Sequence, residues 1–430
     1  MPVAARKPLP RSIYAETARP AVPAPELDAD RTVDVAVIGG GFTGLSAALH
    51  LAERKVEVVV LEAHEPGWGA SGRNGGQVNP GLKHDPDEVE RDFGPDLGRR
   101  MVAFSGNAPN VVFDLIRRYQ IACEARQSGT VRAAYAPKNA AEVRGTAEQC
   151  LRRGMPVELL ESDAMAKVTG ADRYICGVLD RRGGAVNPLG YARGLAQAAQ
   201  QAGATIHGST PVLSVSRNGS RWRLQTPRAT VTAEKLIIGT NAYTDDVWPK
   251  LRRSIVPVYS AIIATEPLRD DIACRVMPSG SVLYENSSIP VYYRLDAQNR
   301  LLMGGRSPLR DVDQVSEMTW MQRYSERLFP ALKGIRWTHC WNGRVAVTAD
   351  AYPHFHEPAE NVLLCLGYNG RGVAMSTAMG DEIARRITGT PVAELSMPVT
   401  TLTEIPFHGF WKLAAHARIA YGRIKDFLQI

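Results

Sequence analysis

Apolar residues recur along the chain in two rhythms, and each change of rhythm marks the end of one element and the start of another. An apolar run from Val33 to Ile38 predicts a buried strand, Thr43 to Glu53 carries helical spacing, and Val56 to Leu61 reads as a second buried strand. Helical spacing returns over Pro86 to Tyr119 and Glu142 to Arg153, with Arg126 to Tyr135 between them as strand and turn. Val157 to Asp180 holds short mixed elements. A helix follows from Leu189 to Ala202, then the strand-like stretches GATIHGSTPVLSVSR and AEKLIIGTNAY. From Ile255 to Val347, strands such as VPVYSAIIAT, VYYRL and RLLMGGR surround one helix, Val312 to Phe329, which predicts a mostly antiparallel sheet. Asn361 to Gly389 is again strand, glycine turn and helix. No internal repeat or low-complexity tract interrupts these elements.

The first strand, turn, helix and strand carry a specific chemistry. Gly39, Gly41 and Gly44 have the spacing of the dinucleotide fingerprint, between a predicted strand and a predicted helix. Gly39 allows the tight turn, Gly41 lets a pyrophosphate approach the backbone, and Gly44 lets the helix lie close on the sheet. The phosphate then sits on a positive helix end. Glu62 closes the second strand, where an acid holds a ribose hydroxyl and would repel a 2′-phosphate. NAD or FAD fits, and a nicotinamide phosphate cofactor does not.

Composition narrows the class further. At 430 residues with 44% hydrophobic positions, the chain can form two or three domains. No apolar stretch has transmembrane length, and MPVAARKPLPRSIYAETARP lacks the apolar core of a signal peptide, which favours the cytoplasm. Six scattered cysteines suggest neither a metal site nor a disulfide framework. The net charge of +7 is interleaved rather than blocked, so nucleic acid is not implied as a partner. One basic region stands apart: from Phe410 to Leu428, residues Phe410, Leu413, Ala417, Tyr421, Ile424 and Leu428 share one helical face, with Lys412, Arg418, Arg423 and Lys425 off it. Such a helix can dock on its own protein, on a second subunit, or as a peripheral contact in the headgroup layer on the inner face of a membrane.

GGGFTGLSAALHL with LEA, then WGASGRNGGQ, IIGTNAY and LGYNGRGVAMSTAMG, resemble the family of FAD-dependent amine and amino-acid oxidases that includes D-amino-acid oxidase, glycine oxidase and sarcosine oxidase. The arm SIYAETA and the WGASGRNGGQ loop are most similar to the gamma-glutamylputrescine oxidase subgroup, with L-pipecolate oxidases as a related reading. The resemblance implies α/β and α+β architecture: a Rossmann-like FAD-binding domain, residues 32–85, 182–250 and 345–395, and a discontinuous substrate domain on a mostly antiparallel sheet, residues 86–181 and 251–344. Residues 1–31 are then an extended arm and 396–430 an amphipathic tail.

It also decides for FAD. Beside Gly39, Gly41, Phe42, Thr43, Gly44, Glu62 and Ala63, the loop Gly69, Ala70, Ser71, Arg73, Asn74, Gly75, Gly76 and Gln77 is expected to cross the cofactor. Ser71 and Arg73 can meet phosphate there, while Gly75 and Gly76 admit the isoalloxazine ring. Gly370, Gly372 and Val373 open the last helix, a positive end suited to the flavin carbonyl. Val212 matches the position whose backbone meets the adenine. Gly239, Thr240 and Asn241 replace the family's Ala-Thr-Gly turn, which keeps the backbone role and alters the side chains.

The implied reaction is oxidation of a carbon–nitrogen bond of an amine or amino acid by hydride transfer to flavin, giving an imine and needing no dedicated base. Arg344 falls on the family's carboxylate-binding arginine, although Val345 replaces the usual proline. Tyr259, Tyr292, Tyr293 and Arg294 lie on substrate-sheet strands, where only alternate side chains can face the flavin; Trp341, His354 and His356 are further candidates. RLLMGGRS holds no lysine where sarcosine-oxidase-type enzymes use one to help oxygen react, so oxygen and a respiratory quinone both stand as acceptors. Cys340 is offset from the family's flavin-linking cysteine, which favours non-covalent FAD. Two alternatives remain: a cyclic secondary amino acid such as pipecolate with a respiratory acceptor, and a flavin-binding scaffold or redox sensor without turnover.

Overall fold

The computed structural model describes residues 7–428, without the side chains of Arg423, Phe427 and Leu428. The first six residues of the arm and the last two of the tail lie outside it. Around the predicted first strand, Arg31–Ile38, the described residues form a nine-stranded sheet. Arg31–Ile38 runs parallel between Val58–Leu61 and Thr230–Ile238, with Thr205–His207 beyond the former and Val362–Leu366 beyond the latter. Val58–Leu61 and Val362–Leu366 are apolar and buried along their length because both faces of the sheet are covered there. On one face, helices Phe42–Glu53 and Gly372–Ile387 touch so closely that a Cβ on Gly380 would strike Ser46, whose hydroxyl donates to the Thr377 carbonyl at 2.7 Å.

The second sheet has eight strands, in the order Trp337–Val347, Val256–Thr265, Leu301–Arg306, Tyr292–Leu295, Val282–Glu285, Thr130–Ala134, Cys176–Asp180 and Val157–Glu161. It is antiparallel except where Val282–Glu285 meets Thr130–Ala134. One face packs on a separate core that includes Met165, Met318, Met321, Leu328 and Phe329. The other face turns toward the nucleotide turn.

Several boundaries differ from the sequence reading. Trp337–Val347 crosses the 344/345 domain division unbroken, because Val345, Ala346 and Val347 continue the pairing with Val258, Pro257 and Val256. Val399–Thr400, assigned to the tail, pairs parallel with Phe355 and His356 and belongs to the first sheet. The arm is not simply extended: Ser12 caps a short helix, Ile13–Thr17, and Ile13, Tyr14 and Leu27 are buried. Pro137, with its fixed φ at a first helical position, starts the helix Pro137–Arg152 earlier than expected. The Pro86–Arg118 helix breaks at Gly94, at φ 77°, before Pro95, which has no amide to donate. Thr319–Leu328 begins later than Val312 because Gln314 and Glu317 form a capping box on a preceding short turn.

The tail forms the helix Trp411–Leu428. It docks on its own protein at both ends: His408 Nε2 donates to the Ile255 carbonyl at 2.8 Å, and the Asp426 carboxylate accepts the Ser288 and Ile289 amides at 2.8 and 2.9 Å. Gly422 gives the close approach to Ile289. The face turned inward is not the apolar one. Phe410, Leu413 and Ile424 point outward, with Leu413 71% exposed, while the largely exposed Tyr421 lies at the rim of a cavity that Ala415 and Gly422 also line. No helix among the described residues is long and apolar enough to cross a membrane.

Candidate functional site

A cavity of about 1010 Å³ runs from the glycine turn of the first sheet to the inner face of the second. At one end, Gly39 takes a φ of 102°, and a Cβ there would lie 3.2 Å from the carbonyl oxygen of Gly239. Gly41 sits so near Ser71 that a Cβ would lie 3.0 Å from its hydroxyl, and Ser71 Oγ accepts the Phe42 amide at 2.9 Å. The Glu62 carboxylate accepts the amides of Gly40 and His64 at 2.7 and 2.9 Å. Burial pushes this carboxyl above its ordinary range, against the pull of those amides.

The helices Phe42–Glu53 and Gly372–Ile387 both begin at this cavity, and neither N-cap residue, Gly41 or Arg371, caps its helix with a side chain. Two positive helix ends therefore converge on one space. That arrangement fits an FAD molecule, with a pyrophosphate at Gly41 to Thr43 and an anionic ring edge at Gly370 to Val373. Between them, the Gly69 to Gln77 loop is held by its own side chains. Arg73 Nε donates to the Trp68 carbonyl at 2.8 Å, its guanidinium lies 4.2 Å from the Trp68 ring centre, and Asn74 ties back to Ala70 and Ser71.

Gly39, Gly41, Phe42, Thr43, Glu62, Ala63, Gly69, Ala70, Ser71, Arg73, Asn74, Gly75, Gln77, Val212, Gly239, Thr240, Asn241, Gly370, Gly372 and Val373 all line the cavity. Gly44 and Gly76 do not. Gly44 lies behind the turn, against the Gly39 carbonyl, and Gly76, at φ 67°, lies against the Val186 carbonyl and Arg294. In the Gly-Thr-Asn turn, the Asn241 side chain accepts the Gly367 amide at 3.0 Å, so the departure from the family pattern serves to join this turn to the end of the Val362–Leu366 strand.

The substrate candidates separate by strand parity. Tyr292 faces the cavity: its ring lies on Gly304 and against Gly75, and its hydroxyl is 2.9 Å from Ser260 Oγ. Tyr293 therefore faces the other way, fully buried, with its hydroxyl 2.8 Å from that of Tyr174. Arg294 shares the parity of Tyr292, but its guanidinium is drawn beneath the loop, donating to the carbonyls of Gly75 (2.8 Å) and Val186 (3.1 Å) and to the Tyr14 hydroxyl (3.3 Å). Tyr259 stands outside the cavity and accepts from Arg344 Nε at 3.0 Å. Arg344 lines the cavity, stacked near the ring of Tyr243 in the neighbourhood of Arg73. Trp341 is fully buried and donates to the Arg73 carbonyl at 2.9 Å; His354 and His356 bond Asp350 and Thr400, away from the cavity lining.

Cross-strand register supplies the residues that sequence reasoning missed. Ser260 lies opposite Arg306, Tyr292 opposite Tyr284, and Tyr284 opposite Arg132, so one row of the inner face lines the cavity. Arg371, from the glycine turn, stacks 4.5 Å from the Tyr284 ring centre and donates to its hydroxyl at 2.7 Å. Lys83 enters from the loop after Val78, so a lysine does reach the cavity, though not from RLLMGGRS. Arg132 and Arg306 had a signal, as lone charges in otherwise apolar strands. Lys83 had none.

The family model described as FAD dependent oxidoreductase matches residues 34–386. The gamma-glutamylputrescine oxidoreductase of Escherichia coli strain K12 is 35% identical over 402 residues, 93% of each chain. Among solved structures, glycine oxidase from Geobacillus kaustophilus superposes with a TM-score of 0.71 at 20% identity, covering 84% of this chain and 96% of that one. L-proline dehydrogenase from P. horikoshii gives 0.69 at 19% identity, covering 84% and 94%.

Proposed function

Because the chain belongs to the FAD-dependent oxidoreductase family of amine and amino-acid oxidases, we propose that it oxidises the carbon–nitrogen bond of an acid-bearing amine of the gamma-glutamylputrescine kind, with non-covalent FAD, in the cytoplasm. One observation carries this reading: a single cavity joins the glycine turn, Glu62 and two helix starts to a polar row on the substrate sheet. FAD, when bound, accepts the two electrons of the oxidation. The chain's own residues bind and orient. Glu62 and the turn amides hold the nucleotide end, Tyr292 braces the loop at Gly75, and the sheet row receives the substrate. Cys340 is buried outside the cavity lining with its thiol pushed up to about 12, which supports a cofactor without a covalent link.

Anaerobic mixing with gamma-glutamylputrescine, putrescine and L-pipecolate tests the reading. Bleaching of the yellow flavin band by the first is expected; bleaching by L-pipecolate alone favours the cyclic amino acid, and no bleaching by any favours a scaffold or redox sensor. Glu62→Ala is expected to weaken FAD retention about tenfold or more through loss of the ribose clamp. Flavin released to the supernatant by acid is measured in both proteins, and equal content after dialysis contradicts the assignment.

The outward apolar face of the tail favours a second reading, in which the electrons pass to a respiratory quinone and Phe410, Leu413 and Ile424 rest among lipid headgroups. Deleting residues 407–430 then lowers partition to anionic vesicles; unchanged partition ends the idea.

A further inference from the structure

The inner side of the tail helix, Trp411–Leu428, is a wall of the cavity: Trp411, Ala415, Arg418, Ile419, Gly422 and Lys425 share that side and line the space. Its two ends are held differently. Just before the helix, Glu404 pairs with Arg253 at 2.7 Å, the Ile405 amide donates to the Arg253 carbonyl at 2.8 Å, and His408 donates to the Ile255 carbonyl. At the far end one side chain, Asp426, accepts the Ser288 and Ile289 amides. Between Trp411 and Lys425 the described side chains exchange no hydrogen bond or ion pair with another element, and Ala415 is the only buried apolar one. A segment that buries so little opens more readily than the sheets beneath it.

Topology places this helix across the substrate end. Ile255 precedes the strand Val256–Thr265, and Ser288 and Ile289 lie in the turn between Val282–Glu285 and Tyr292–Leu295. With Leu301–Arg306, these are four consecutive strands of the second sheet, and the helix runs along one end of them. The turn it is latched to, Ser287 to Pro290, lines the cavity as well. At the anchored end Phe407 takes a left-handed φ of 55°, uncommon for a bulky residue, and its side chain is 86% exposed. A backbone rotation there moves the far end of the helix most.

We propose that the helix is the gate of the substrate chamber: it swings about Phe407 when the Asp426 latch releases, admits the amine, and closes as the wall that keeps water from the oxidation. This rests on the reading of the cavity as the substrate site of a flavin oxidoreductase. The outward apolar face of the helix takes no part in it.

The test locks the gate in the FAD-loaded full chain. A Cβ on Gly422 would lie 3.3 Å from Ser288 Cβ, close to the separation of about 3.5–4.5 Å that a disulfide spans. Ser288→Cys with Gly422→Cys is oxidised, and anaerobic bleaching of its flavin by gamma-glutamylputrescine is compared with that of the same protein after reduction by a phosphine. Wild type given both treatments corrects for the exposed Cys274. The oxidised form is expected to bleach at least about tenfold more slowly, with the rate restored on reduction. Equal rates in the two forms overturn the gate. A second measurement does not depend on turnover: in Ala415→Cys, adding Asp426→Asn is expected to speed labelling of the covered thiol by a bulky maleimide about tenfold, because a neutral amide holds the two backbone amides less tightly. An unchanged labelling rate overturns the latch. A protein that purifies without flavin, or that the amine bleaches in neither form, overturns the underlying reading instead, and the labelling then decides the gate alone.

Discussion

Gly44→Ala is expected to yield protein depleted of flavin and melting well below the wild type. A Cβ on Gly44 runs into the carbonyl oxygen of Gly39 and lies 3.0 Å from Val37 Cγ1, both in the turn and strand that present the nucleotide amides. Neither obstacle is a flexible side-chain end. Gly239 packs against Gly44 from the next strand, so the helix has no free direction in which to retreat. Overpacking at such a site costs about 3 kcal/mol or more, a large share of a typical folding free energy. The ratio of visible to ultraviolet absorbance and a thermal melt measure both effects. Normal flavin content in Gly44→Ala contradicts the packing argument.

Arg294→Met should be comparably severe, for a different reason. The guanidinium joins three separate segments: the loop at Gly75, the chain at Val186 and the arm at Tyr14. Methionine approximates its length but leaves the Gly75 and Val186 carbonyls without this donor. Each buried acceptor left unpaired costs roughly 1–3 kcal/mol, and charge-assisted bonds fall at the upper end. Arg294→Lys recovers little, since an ammonium cannot span three acceptors set around a planar fork. Denaturant unfolding should show a loss of about 3 kcal/mol or more, and the loosened Gly75 loop should raise KM through the Tyr292 ring it supports. A variant as stable as the wild type would show that the three segments are held by other contacts.

The cofactor end of the site was legible because its chemistry is local. Glycines at fixed spacing, an acid at the end of a strand and a second glycine turn before a helix all lie within short windows. The substrate end is assembled from strands far apart in the chain, and no window contains it. Tyr292 and Tyr293 show why: the strand YYRL is buried on both faces, one against core and one against the cavity, so no polar alternation marks which tyrosine turns inward. Arg294 was a reasonable substrate candidate by parity, and only the position of the Gly75 loop reveals that its guanidinium is already engaged. Lys83 sits in a loop whose path no periodicity describes. The tail failed in another way. Its apolar stripe was read correctly as a face, but a stripe does not state what it faces, and here His408 and Asp426 turn the opposite side inward.

The N-terminal arm has a consequence for how the protein is made. Tyr14 packs edge-on against Trp341 at 5.1 Å and contacts Arg294, while the indole N–H of Trp341 donates to the Arg73 carbonyl. The arm therefore has its seat on a strand synthesised long after it. Arg31–Ile38 likewise needs Thr230–Ile238 beside it. The first sheet cannot be finished until Val362–Leu366 is made, so the completed nucleotide pocket forms only after Gly372–Ile387 has emerged. Flavin supply during expression then matters once the arm closes over Trp341 and the helix Gly372–Ile387 presents its amides.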